Sequence, residues 1–222
     1  MAIAALILGG ALVYVFFFSL YAITKRKLFK TNNGIKISSF QNGEVAKTVG
    51  KVKYIGKPLV APLSGRNCAY YHVLVQEKIR VKHSISYWHT LIEERVGNNL
   101  VIKDGNYYAF VETSRVKSYL TSHIPYTSGF GEAPTKQMEN YLLKYGYESK
   151  GGIFKRNNWL RYKEGIIEEG EVITVVGKGI WKRKSEIQLK IPSEKILIIE
   201  SLNDQVPVFF SNDPNLKYKL TI

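Results

Sequence analysis

The stretch "VAPLSGRNCAYYHVLVQE", residues 60–77, contains four residues whose types can do chemistry: Ser64, Arg66, Cys68 and His72. A cysteine nucleophile needs a thiol pKa lowered by a histidine, a cation or a helix N-terminus. In an extended strand, however, Cys68 and His72 lie about 13 Å apart at ~3.3 Å per residue, too far for a dyad. Ser64 stands in "LSGR", which lacks the G-x-S-x-G nucleophile elbow. The stretch therefore predicts a turn that enters a strand.

Arg66 is the residue of this turn with the clearest chemical role. Pro62, Ser64 and Gly65 are typical turn formers. The planar guanidinium of Arg66 matches the geometry of a carboxylate or a phosphate. We therefore expect Arg66 to hold an anion.

The cysteine and histidines do not have the spacing of a metal site. His72, His83 and His89 are eleven and six residues apart, which matches no metal motif. The two zinc sites of a RING finger need about eight Cys and His ligands, and the chain has one cysteine and four histidines. We expect no metal and no cofactor, and a single cysteine excludes an intramolecular disulfide.

The N-terminal stretch 2–23, "AIAALILGGALVYVFFFSLYAI", contains no charged residue. As a helix it would extend ~33 Å, about the thickness of the hydrocarbon core of a bilayer. Lys25, Arg26, Lys27 and Lys30 follow directly, so the positive-inside rule places the rest of the chain on the cytoplasmic side. A cleaved signal peptide would carry its basic residues before the apolar core. The pattern predicts an uncleaved, single-pass membrane anchor.

Three parts are expected along the chain: a transmembrane anchor (1–24), a basic juxtamembrane segment and linker (25–43), and a β-rich domain (44–222). Asn, Gly and Ser dominate "TNNGIKISSFQNG", which favours a linker. Beyond it, short segments rich in Val, Ile and Tyr alternate with turn signals, as in strands.

Two elements of the domain are marked by local signals. "VIKDGNYYAFVE" (101–112) predicts a hairpin around Asp104-Gly105, and "PTKQMENYLLKY" (134–145) predicts one helix that stops at Gly146. The expected fold class is mainly β: an N-terminal transmembrane helix followed by an antiparallel, β-barrel-like and OB-like domain with one helix.

The net charge of +14 over 222 residues indicates an acidic partner, either nucleic acid or an anionic lipid surface. Aromatic residues among the cations resemble a surface for stacking bases: Tyr70, Tyr71, Trp159, Tyr162 and Trp181. Aromatic residues at alternate strand positions usually face a core, however, and basic residues near a membrane gain ~1 kcal/mol each from anionic lipid. We therefore favour lipid over nucleic acid. The expected anion or lipid contacts are Lys25, Arg26, Lys27, Lys30, Arg66, Lys182, Arg183 and Lys184.

Three stretches in order resemble one family. "GKVKYIGKPLVAPLSGRNCAYYHVLVQE" (50–77) resembles the opening of the GIDE domain. "RYKEGIIEEGEVITVVGKG" (161–179) is similar to the second signature of that domain, and "PVFFSNDP" (207–214) to its closing segment. The domain occurs in membrane-anchored ubiquitin-protein ligases of mitochondria and chloroplasts and in shorter prokaryotic proteins. The resemblance covers the chain from about residue 44 onward.

The resemblance implies an interaction or substrate-sensing module. In the ligases a RING finger recruits the ubiquitin-loaded conjugating enzyme, and this chain has too few Cys and His ligands to build one. We expect a membrane-anchored, non-catalytic module that binds a protein or lipid partner at the membrane surface. Two alternatives stay open: ubiquitin transfer with a partner that supplies the RING, and an OB-like nucleic-acid-binding domain. The sequence specifies neither the partner protein nor the oligomeric state.

Overall fold

The computed structural model describes residues 34–80, 85–98, 100–121, 124–129, 132–151, 156–157, 159–187, 189 and 191–216. The described residues form one α-helix, α1 (Lys136–Lys144), and the following strands: β1 (Val45–Lys53), β2 (Leu59–Val60), β3 (Asn67–Cys68), β4 (Tyr70–Ile79), β5 (Tyr87–Gly97), β6 (Val101–Asp104), β7 (Tyr107–Val111), β8 (Val116–Tyr119), β9 (Ile124–Ser128), β10 (Lys150–Gly151), β11 (Arg156–Asn157), β12 (Leu160–Ile167), β13 (Val172–Arg183), β14 (Lys195–Glu200) and β15 (Val208–Ser211).

Five strands close into a small barrel. β1 pairs with β6 and with β13, β6 pairs with β7, and β14 joins β7 to β13. A five-stranded barrel of this kind is the architecture of OB folds. β15 and β8 extend the sheet from β13. The sequence predicts an antiparallel sheet, and two pairs of strands depart from that prediction. β14 runs parallel to β7, and β15 runs parallel to β8.

The hairpin of β6 and β7 lies where the sequence predicts it, with a shifted turn. Asp104 pairs with Tyr107, so the two-residue turn is Gly105-Asn106, and Gly105 takes a φ of 57°. Farther along, β13 is one long strand that ends at Arg183 and is followed by a 3₁₀ turn over Lys184–Glu186.

A second, four-stranded antiparallel sheet is built from the two chain segments inserted between barrel strands. Its order is β5-β4-β12-β9. The helix α1 begins at its N-cap Thr135, whose side chain accepts a hydrogen bond from Met138 N at 3.3 Å. Its buried residues Met138, Tyr141 and Leu142 pack with those on one face of this sheet. Because strand side chains alternate between faces, the opposite face of the sheet is available for other contacts.

The two sheets have separate cores that meet at Tyr70. Its ring lies in the barrel core, edge-on to Phe210 at 4.8 Å, and its hydroxyl donates to Ser118 Oγ at 3.1 Å. The next residue, Tyr71, belongs to the core between the four-stranded sheet and α1. Alternation along β4 thus ties the two cores together.

The end of the predicted linker is part of the domain. Ile37 and Phe40 are buried in the barrel core, around a 3₁₀ turn at Ile37–Ser39. Phe40 packs so closely on Gly179 that an added Cβ there would lie 2.5 Å from its ring. The described part of the domain therefore begins before residue 44, because the apolar side chains in this Asn- and Ser-rich stretch reach the core.

The fold class that combined a β-rich domain with an N-terminal transmembrane helix is wrong on the structural evidence. Among the residues that the structure describes, no helix has the length and apolar character needed to cross a membrane. The predicted anchor (1–24) lies outside the described residues. The fold class is corrected to mainly β with one α-helix in the described residues, and the predicted localisation, single-pass in a membrane, is withdrawn with it.

Candidate binding surface

The turn in "PLSGR" is held by a buried carboxylate. Glu164 of β12 is fully buried and accepts hydrogen bonds from Leu63 N at 2.8 Å and Ser64 N at 3.1 Å. Gly65 has a φ of 71°, a conformation that favours glycine. Ser64 Oγ accepts a hydrogen bond from Arg66 N at 3.4 Å. Both the hydroxyl and the backbone N–H of Ser64 therefore stabilise the turn that the sequence predicts here.

Arg66 does hold a carboxylate, and that carboxylate belongs to the same chain. Its Nε donates to Glu168 Oε1 at 3.0 Å, and its Nη2 donates to Glu168 Oε2. The two residues are 102 positions apart in the chain. This two-point contact attaches the turn to the end of β12, and it occupies the edge of the Arg66 guanidinium formed by Nε and Nη2.

Cys68 is fully buried at the end of β3. Burial, followed by the nearby carboxylates of Glu164 and Glu168, raises the pKa of its thiol to about 12. The thiolate is the reactive form, and at neutral pH it is scarcely populated. We expect Ellman's reagent to leave the native chain unmodified at neutral pH and to modify the single thiol once urea unfolds it. Equal reaction rates in the two states would contradict this assignment.

The two histidines in the described residues, His72 and His89, lie in different surroundings. His72 Nε2 lies 3.1 Å from Glu93 Oε1, while burial, together with the Arg95 guanidinium, lowers the pKa of this imidazole. His89 is exposed on β5, and His83 and His123 lie outside the described residues. Within the described ranges, no group of three or more His, Cys, Asp or Glu side chains is placed to hold a metal ion.

Three of the expected anion or lipid contacts lie at the end of β13 and in the turn after it. Lys182, Arg183 and Lys184 are exposed, and across the described residues none of them forms an ion pair. An open cleft of about 490 Å³ lies beside them, lined by Arg183, Lys184, Ser185, Glu194 and Lys195. The remaining expected contacts, Lys25, Arg26, Lys27 and Lys30, lie outside the described residues.

Most of the aromatic residues considered for base stacking face the interior. Tyr70, Tyr71 and Tyr162 are buried in the two cores. Trp181 is half-buried, and its Nε1 donates to Phe40 O at 2.9 Å. Of these five residues only Trp159, with 40% of its surface exposed, is available to a ligand.

Trp159 lies on the open face of the four-stranded sheet, a surface that the sequence analysis missed. Trp159 O accepts a hydrogen bond from Lys78 N at 2.8 Å, and Lys78 pairs with Trp88. In the next two rows, Arg161 pairs with Gln76 and Lys163 with Leu74. We use the name open face for the following residues: Leu74, Gln76, Lys78, Arg80, Trp88, Thr90, Trp159, Arg161 and Lys163.

Cations and tryptophan rings are in contact on the open face. The guanidinium of Arg161 stacks over Trp88, with its carbon 4.4 Å from the ring centroid. Lys78 Nζ and the guanidinium carbon of Arg80 each lie 5.6 Å from the Trp159 ring centroid. Such contacts hold a cation over an aromatic ring with ~0.5–1 kcal/mol at exposed sites.

Positive charge dominates this surface. The two rows through Trp159 and Arg161 contain no acidic residue. The nearest acidic residue in the register, Glu93 on β5, pairs with Arg95 and His72. Glu93 lies in the row of Leu74 and Lys163, so the part of the open face with no carboxylate is the pair of rows through Trp159 and Arg161.

The sequence contains a signal for the open face in "LRYKEGII", which is β12. Leu160, Tyr162 and Ile166 alternate with Arg161 and Lys163, the pattern of a strand with one buried side. Glu164 interrupts this alternation, because it places a charged residue at a buried position. The neighbouring residues in the sequence do not indicate that Glu164 binds the turn at residues 63–64.

Comparison with protein families, with curated proteins and with solved structures found no match to this chain. The resemblance to the GIDE domain therefore stays a prediction from three sequence stretches.

Proposed function

We propose that the chain is a non-catalytic interaction module that binds an acidic segment of a partner protein on the open face. The observation that carries the proposal is the convergence of Lys78, Arg80, Arg161 and Lys163 on one sheet face whose two central rows contain no acid. A positive patch of this kind steers a negative partner toward it and fixes its register. The net charge of +14 acts in the same direction.

The tryptophan contacts favour a protein over nucleic acid as the partner. Single-stranded nucleic acid binds by stacking bases on free aromatic faces. Trp88 is covered by Arg161, and Trp159 contacts Lys78 and Arg80. The Trp159 ring also packs on Gly129, where an added Cβ would lie 3.0 Å from it. Each ring is thus already in contact with a cation, and a base that stacked on it would compete with that contact.

The test is binding of a fluorescein-labelled oligoglutamate peptide to the full chain, measured by fluorescence anisotropy. We expect saturable binding that weakens as salt is raised, because salt screens exposed charges. Reversing Lys78 and Arg161 to Glu together is expected to weaken binding about tenfold, since each reversal removes an attraction of up to ~1 kcal/mol and adds a repulsion of similar size. A matched control reverses two exposed lysines off the open face, Lys57 and Lys117, and is expected to bind within about threefold of the unmodified chain.

Three outcomes would overturn the proposal. They are failure of the peptide to bind at low salt, an equal loss in the control variant, and preferential binding of a single-stranded oligonucleotide or of anionic vesicles. Circular dichroism of each variant separates loss of binding from loss of folding.

A further inference from the structure

Arg161 is the best-positioned cation on the open face. Its Nε and Nη2 donate to Gln76 Oε1 at 3.0 and 2.5 Å. Gln76 is oriented in turn, because its Nε2 donates to Thr90 Oγ1 at 3.2 Å. With Trp88 beneath the guanidinium, the side chain is fixed both in its plane and from one face. Arg161 is therefore preorganised before any ligand arrives.

The fixed guanidinium keeps an unused pair of donors. Arginine has five N–H groups in a planar fork, and the two bonds to Gln76 occupy only the edge formed by Nε and Nη2. Within the described residues, no bond is made by the edge formed by Nη1 and the second N–H of Nη2. Two parallel N–H groups at this edge match the two oxygens of one carboxylate.

We infer that Arg161 is a carboxylate receptor that recognises a Glu or Asp side chain of the bound partner, with Gln76 and Trp88 as positioning residues. The inference rests on the proposed function and adds a geometric requirement to it. Charge alone would make any cation at position 161 equivalent, whereas the receptor needs a planar fork. Holding the side chain in place beforehand lowers the entropy lost on binding.

The test compares Arg161→Lys with two control variants off the open face, Lys57→Arg and Lys117→Arg, in the full chain. All three variants keep the net charge, but only the first removes the fork, the stacking and the bonds to Gln76. We expect Arg161→Lys to weaken binding of the labelled oligoglutamate peptide about tenfold, the effect of one or two charged hydrogen bonds. The variants Lys57→Arg and Lys117→Arg are expected to bind within about twofold of the unmodified chain, because neither residue lies on the open face.

A second ligand tests the planar geometry directly. An oligo-cysteic acid peptide has the same charge as oligoglutamate but carries tetrahedral sulfonates. We expect the unmodified chain to prefer oligoglutamate and Arg161→Lys to lose most of that preference. Gln76→Leu keeps the guanidinium of Arg161 but removes the hydrogen bonds that orient it. We expect this variant to reduce the preference for oligoglutamate by a smaller factor.

Each result decides between the two proposals. If charge reversal abolishes binding while Arg161→Lys has no effect, the acidic partner stands and the carboxylate receptor is overturned. Equal affinity for the two peptides, or a preference for a phosphoserine peptide over oligoglutamate, also overturns the receptor. If the unmodified chain binds neither peptide, the proposed function and the receptor fail together.

Discussion

Replacing Glu164 by alanine is expected to lower the free energy of unfolding by about 3 kcal/mol. The carboxylate is fully buried and accepts the backbone N–H groups of Leu63 and Ser64. Its removal leaves two donors without a partner, and each buried unsatisfied group costs ~1–3 kcal/mol. The small alanine side chain also leaves a cavity in the core beneath the turn. Urea denaturation, followed by far-UV circular dichroism, measures the change.

The matched variant Glu164→Gln separates the hydrogen bonds from the packing. Its volume is nearly that of Glu, but its amide has one acceptor oxygen and one NH₂ group that faces a donor. We expect an intermediate loss of stability. Amide hydrogen exchange at Leu63 and Ser64 should become faster in both variants. A loss below ~1 kcal/mol for Glu164→Ala, or unchanged exchange at both amides, would show that the turn does not depend on this carboxylate.

Replacing Phe210 by alanine is expected to lower the free energy of unfolding by about 3–5 kcal/mol, the usual cost of removing a buried aromatic ring. Phe210 lies on β15, is fully buried in the barrel core, and meets Tyr70 edge-on. Because Tyr70 lies on β4, at the start of the four-stranded sheet, this contact joins the barrel to the second sheet. Urea unfolding monitored by tryptophan fluorescence measures the effect.

Two controls show which part of this contact matters. Tyr70→Phe keeps the ring and removes only the hydroxyl bond to Ser118, so a loss of about 1 kcal/mol is expected. Phe209→Ala affects the smaller cluster around Tyr119 and is expected to cost less than Phe210→Ala. If Phe210→Ala costs no more than Phe209→Ala, the ring at position 210 does not have the central position that we assign to it.

Local patterns in the sequence were sufficient for several elements. The helix over Lys136–Lys144 follows from the spacing of its apolar residues, from its start near Pro134 and from the glycine at position 146. The hairpin of β6 and β7 follows from an Asp-Gly-Asn stretch between apolar segments. Both elements depend on residues only a few positions apart, so a local pattern contains most of their physics.

The sequence analysis could not identify partners that are remote in the chain. Arg66 was expected to hold an anion, and the anion that it contacts is the carboxylate of Glu168, 102 positions away. β12 was not predicted, because its residue 164 is charged and interrupts the apolar pattern. Glu164 is buried because it accepts hydrogen bonds from the backbone of residues 63–64, which are remote in the chain.

The prediction of a transmembrane helix rested on residues 2–23, and among the described residues no helix can cross a membrane.

By itself, the sequence determined that the chain is rich in strands, carries a large positive charge and contains an amphipathic helix over residues 136–144. Only the tertiary structure decided that β4, β5 and β12 lie side by side and bring Gln76, Trp88 and Arg161 together. The physical reason is that the pairing of β12 with β4 sets Arg161 opposite Gln76, 85 positions away in the chain, and no local pattern encodes that register. The open face exists because that register places cations and aromatic rings on the same side of one sheet.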